Sequence, residues 1–320
     1  MKKKSIGILC SVLGALLVLG AVIGLGVALP VAPEPDNSQS NSVVAEIYIE
    51  NETVPYKKIT RADFEDLFSY RGDNIFKNDS YLQSVDIRIE ILDNIKIGET
   101  ELALYVGTGK DIEFNANGYC ISADLPSAPM IRVYSQSTGG NVVFNDLEMH
   151  NSIASCLQIF NEVSVDLNMC YLTAGKQVLF FSDSCTLNVN AGTILDGEYP
   201  IFAATNKPNT VNIAAGASLS GRTAAVLISK GNSFDFNVNG GIIKSATENG
   251  DCIIVQKAEG EVNVDIDGAY LRGVVRITCD SDINLNAGKL YGSIVSDTVT
   301  VNVGEDFIIE PYEAEVTEVA

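Results

Sequence analysis

Apolar and polar residues alternate in short runs along most of the chain. Each run is followed by a glycine-containing turn and a second apolar pair. The clearest copies are Leu187-Asn188-Val189-Asn190-Ala191-Gly192-Thr193-Ile194 and Ile283-Asn284-Leu285-Asn286-Ala287-Gly288-Lys289-Leu290. Related copies begin at Ile112, Val165, Val211, Phe236, Val264 and Val301. Taking the second apolar residue of each run as a marker gives positions 114, 144, 167, 189, 213, 238, 266, 285 and 303, with intervals of 18 to 30 residues. Alternation of this kind predicts half-buried strands, with Leu187 and Val189 facing inward and Asn188 and Asn190 outward. A second apolar run, such as Cys156-Leu157-Gln158-Ile159 or Val178-Leu179-Phe180-Phe181, precedes most markers. Each repeat therefore holds two or three strands and no helix-length pattern.

Repeats of this size indicate a stack of like units. Propeller blades need about 40–45 residues, and the leucine-rich consensus is absent. The expected fold is all-β, a right-handed single-stranded parallel β-helix over residues 84–310. Free variation in turn length favours the right-handed form over one built on strict hexapeptides.

The flanks read differently. Lys2, Lys3 and Lys4 precede an uncharged run at 6–29, about 36 Å long as a helix and enough to span a bilayer core of about 30 Å. Two readings stay open: a retained single-pass anchor, with residues 1–5 cytoplasmic and the rest extracellular, or a signal segment cleaved on secretion. Residues 30–42, rich in Pro, Ser and Asn, form a linker expected to be disordered. Residues 43–83 are expected to cap the solenoid, with a short helix opening at Thr60-Arg61-Ala62-Asp63 and presenting Phe64, Leu67 and Phe68 on one face. Residues 311–320 form an acidic tail.

Charge narrows the partners. The 320 residues carry 41 Asp and Glu against 21 Lys and Arg, a net of -20. Such a surface repels phosphate backbones, so no nucleic-acid partner is expected. The seven cysteines include no CxxC pair, and those in apolar strand positions read as free, buried thiols. No cofactor and no metal is expected.

The stretch Gly109-Lys110-Asp111-Ile112-Glu113-Phe114-Asn115-Ala116-Asn117-Gly118-Tyr119-Cys120-Ile121 resembles the opening coils of pectate-lyase-like β-helix proteins. The resemblance covers roughly residues 84–310 and implies the fold; the superfamily holds polysaccharide lyases, polygalacturonases and non-catalytic surface adhesins. Its enzyme motifs do not carry over. There is no Gly-His-Gly and no Trp, the lone His150 sits in Glu148-Met149-His150-Asn151, and Arg276-Ile277-Thr278 echoes only part of an Arg-containing strand.

Candidate residues remain. Asp166, Asn188, Asn212, Asn237, Asp265, Asn284 and Asn302 occupy equivalent outward positions and would form a polar row with coils about 4.8 Å apart. Such a row either binds sugar hydroxyls or cations, or is a solvated face with amides bonded along the stack. Asn190, Asn239, Asp267 and Asn286 precede turns and read as structural punctuation. Asp280, Asp282 and Asn284 have the opening spacing of a calcium loop, but Leu285 and Tyr291 stand where its glycine and closing acid belong. Asp93 with Asp166, or Asp196 with Asp265, are conceivable as paired carboxylates.

The sequence thus reads as a monomeric, non-catalytic bacterial surface module, displayed outside the membrane, for adhesion, glycan binding or spacing. The alternatives are a polysaccharide lyase or glycoside hydrolase with a divergent acidic site, and a purely structural envelope protein.

Overall fold

Alternating burial along each run sets the architecture, because an inward side chain can be covered only by the coils above and below it. The computed structural model describes residues 40–98, 100–135, 139–230, 233–256, 261–296 and 299–312. The run at 6–29, nearly all of the linker and most of the acidic tail lie outside these residues. Among the described residues, no helix is long and apolar enough to cross a membrane.

The protein is a parallel β-solenoid with three strands per coil. The first coil comprises β3 (Ile87–Ile91), β4 (Ile95–Ile97) and β5 (Leu102–Val106). Each pairs in parallel with the strand three places later in the chain. This triplet pattern continues to β23 (Asp251–Val255). Three longer strands then run round the corners: β24 (Glu261–Ile277), β25 (Asp282–Ser296) and β26 (Val301–Glu310). Three columns of strands result, one per side of the coil.

The marker residues read from the sequence stack in register. Phe114 pairs with Phe144, then Leu167, Val189, Ile213, Val238, Ile266, Leu285 and Val303 follow in order. All but Val303 are buried. Burying each aliphatic side chain is worth about 1.5–3 kcal/mol, so the core is a continuous filament of such contacts rather than one central cluster. On the last strand, β26, Val303, Ile308 and Ile309 are exposed.

At the other end, β1 (Val43–Ile49) pairs antiparallel with β2 (Lys57–Thr60) and with β3, taking up the backbone edge of the first coil. Helix α1 (Arg61–Phe68) and the one-turn α2 (Ile75–Asn78) follow. Phe68 packs between Phe64 and Phe76, at 4.7 and 5.3 Å between ring centroids. The capping signal is read differently by the structure. Thr60 is the N-cap, but its hydroxyl donates to Asp63 Oδ2 at 2.7 Å instead of accepting from the helix backbone.

Candidate functional site

The polar row exists as a column. Asp166, Asn188, Asn212, Asn237, Asp265, Asn284 and Asn302 are successive register partners on the outer side of the first strand column. Asn188 donates to Asp166 at 2.6 Å, Asn212 to Asn188 at 2.8 Å, and Asn237 to Asn212 at 2.9 Å. A second segment runs from Asn302 to Asn284 at 2.9 Å and on to Asp265 at 2.7 Å. Two positions further along the same strands is a parallel ladder: Asn190 to Asn168, Asn168 to Asn145, Asn145 to Asn115 and Asn115 to Glu90. All three segments point their donors toward the N-terminus and end on a carboxylate, where the last bond is charge-assisted. The amides are thus engaged with one another. The sequence places Asn190 at a turn; the structure gives it a rung of the second ladder.

The corner between the first and second strand columns is unusual. From Gly192 onward it is turned by glycines with positive φ: Gly192 (81°), Gly216 (86°), Gly240 (112°) and Gly268 (75°). In the two coils before them residues with side chains hold the left-handed conformation, Asp146 (50°) and Met169 (52°), and one coil earlier Asn117 (55°) precedes Gly118 (77°). Asn and Asp tolerate this region; Met gains nothing there. Together with Gly118, Leu147, Glu148 and Tyr171, these three residues line an open groove of about 360 Å³. Met169 is 61% exposed over it.

Beside the groove, on the outer face of the second column, lies a cluster of reactive side chains. It is carried by β7 (Cys120–Ala123), β10 (Glu148–Asn151), β13 (Tyr171–Ala174) and β16 (Ile194–Gly197). Glu148 is the register partner of Cys120 below and Tyr171 above, and His150 of Ser122 and Thr173. His150 Nε2 lies 2.6 Å from Glu148 Oε1, and Nδ1 lies 2.5 Å from Thr173 Oγ1. Ligand atoms of Cys120, Glu148 and His150 all lie within 4.8 Å of one another. Burial and the charge of Glu148 push the Cys120 thiol up to about 12. One coil further, burial raises the Asp196 carboxyl above its ordinary range against the opposing charges of Arg222 and Lys244. Arg222 Nη1 stands 3.6 Å from Asp196 Oδ1, and its Nη2 donates to the carbonyls of Ala174 and Gly175.

The other sequence candidates do not converge. Asp93 is held by Arg61 at 2.5 Å in the N-terminal region. Asp196 faces out from the second column and Asp265 from the first. Asn284 belongs to its ladder, and Ile283 and Leu285 are buried strand residues. Six cysteines are free: Cys120, Cys156, Cys170, Cys185 and Cys252 are buried, and Cys279 is partly exposed; Cys10 lies outside the described residues. Sequence reasoning did not single out Cys120, Glu148, Met169 or Tyr171. A usable signal was present, since the turn glycine after Leu167-Asn168 is replaced by Met169.

The fold defines a parallel β-solenoid, and its site is a corner groove flanked by ionisable groups. No protein-family profile matches the chain, and comparison with curated proteins and with solved structures gave no match.

Proposed function

We propose that the chain is a right-handed, pectate-lyase-like β-helix of the non-catalytic, surface-displayed kind, held outside the membrane by its N-terminal segment, and that it binds polysaccharide in the corner groove. The carrying observation is that Asp146 and Met169 keep side chains in left-handed backbone where the coil before them has Gly118 and later coils use glycine. Left-handed backbone also occurs away from the groove, at Glu50, Asn161, Glu162 and Asn249, but at Met169, which gains nothing from it and stands over the open groove, it favours a role for the side chain. The lining suits a sugar: the Tyr171 ring and Met169 offer apolar surface to ring C–H groups, and the carboxylates of Asp146 and Glu148 offer acceptors to hydroxyls, while the Asn117 amide is held by Glu90 and the Ile91 carbonyl. The asparagine ladders fit a supporting role, stiffening the rod that carries the groove. A glycan array probed with the full chain tests this. Binding that is lost in Met169→Gly and Tyr171→Ala supports it; binding unchanged in both variants overturns it.

A second reading, a divergent polysaccharide lyase or hydrolase, is favoured by the raised Asp196 carboxyl with Arg222 opposite and Tyr171 one coil away. Release of new reducing ends from a polysaccharide panel, abolished by Asp196→Asn, would establish it in place of the binder.

A further inference from the structure

We propose that Cys120, Glu148 and His150 form a binding site for one divalent cation of the zinc class. The proposal is independent of the glycan reading, and its test contains no glycan. Three donor atoms from two adjacent coils converge within 4.8 Å. Tetrahedral zinc, with Zn–S about 2.3 Å and Zn–N or Zn–O about 2.0–2.1 Å, needs its ligand atoms about 3.3–3.6 Å apart. His150 Nε2 and Glu148 Oε1, at 2.6 Å, must part by under about 1 Å, and the thiol, within 4.8 Å of both, must close by at most about 1.5 Å. Side-chain rotation on fixed strands supplies both movements.

The placement of Cys120 is the second observation. Ile121 and Ala123 belong to the apolar core, so strand alternation turns Cys120 to the outer face, where Ser122 also sits. It lies outside the core cluster yet is only 5% exposed, held directly beneath Glu148. A buried thiol serving as filler belongs inside; this one is aimed at a carboxylate and an imidazole. His150 is also oriented as ligand histidines are. Its Nδ1 is engaged by Thr173, and Nε2, bonded to Glu148 Oε1 at 2.6 Å, meets the ion when that bond opens around it.

The donor set selects the cation. Thiolate, imidazole and carboxylate together suit zinc and its borderline neighbours, whereas calcium and magnesium require oxygen ligands. On binding, a sulfur–metal bond replaces the S–H bond of Cys120, and the proton passes to solvent. Three protein ligands leave a tetrahedral ion one position for water. Glu148 also lines the groove, so a ligand there lies beside the ion.

The test is cobalt and zinc titration of the full chain, stripped beforehand with chelator. The expected result is one equivalent bound, with a thiolate-to-cobalt charge-transfer band, bleached by zinc and untouched by calcium or magnesium. Cys120→Ser should abolish the band, His150→Gln should weaken binding at least tenfold, and Thr173→Val should weaken it by a smaller factor through loss of ring orientation. Cys279→Ser, which alters the most exposed described thiol, should change nothing. Absence of a charge-transfer band in the unaltered chain overturns the proposal even if a variant fails to fold, as does a band that survives Cys120→Ser.

Discussion

Exchanging the corner residues separates function from stability. In Met169→Gly the left-handed conformation becomes unstrained, a gain of about 1–2 kcal/mol. The added freedom of the unfolded chain costs about 0.5–1 kcal/mol. With 61% of Met169 already exposed, little apolar burial is lost. The net expectation is a stability between unchanged and about 1.5 kcal/mol higher, the difference of those two estimates. The reverse exchange, Gly216→Met, introduces the same strain at φ 86°. A Cβ there would meet its nearest neighbour, Ala191 Cβ, at an ordinary 3.5 Å, so conformation and not collision sets its cost, about 1–2 kcal/mol. Urea midpoints at constant slope measure both variants, and the glycan array is run on the same samples. Loss of more than about 1 kcal/mol in Met169→Gly would refute the strain argument. A variant that is at least as stable yet no longer binds would show side chains kept at the corner for function.

Three other outcomes follow from the geometry. Asn212→Ala removes bonds of 2.8 and 2.9 Å to its ladder neighbours; with water recovering part of the loss at this half-buried site, about 1 kcal/mol should go, whereas Asn302→Ala at the exposed ladder end should lose less, both read by urea unfolding. Gly292→Ala would drive a Cβ to 2.0 Å from the Gly273 carbonyl oxygen and should destabilise on the order of 3 kcal/mol, checked by thermal unfolding. For Asp196 the folded carboxyl titrates above its unfolded value of 3.8, so its stabilising contribution is complete below that value and lost as pH rises through the raised one. Asp196→Asn should therefore gain stability relative to the unaltered chain between acid and neutral pH; a relative loss over that window, measured by urea midpoints at each pH, would contradict the assignment.

Much of the fold was legible because a solenoid writes each coil separately into the sequence. The markers from Phe114 to Val303 are register partners one after another, since every coil must place an apolar residue over the previous one. The outward row from Asp166 to Asn302 followed from the same alternation. The ladder from Asn190 down to Glu90 was hidden because Asn190 also stands at a turn, and turn chemistry explains an asparagine without any stack. The groove and the Cys120–Glu148–His150 cluster were harder still. They join residues from adjacent coils across the second strand column, whose short segments carry weaker alternation, and Cys120 reads as core until Ile121 fixes which face it occupies.

The central claim is that successive coils rise in parallel with the outward column in register. Spin labels at Glu113 paired with labels at Asn212, Asp265 or Asn302, in a chain carrying Cys10→Ser and Cys279→Ser, measure this by pulsed dipolar spectroscopy. At about 4.8 Å per coil, the four, six and eight register steps give about 19, 29 and 38 Å, plus a constant label offset. A linear increase is the predicted result. Separations that level off or shorten along the series, as in a closed barrel or a sandwich, would contradict the solenoid and the site built on it.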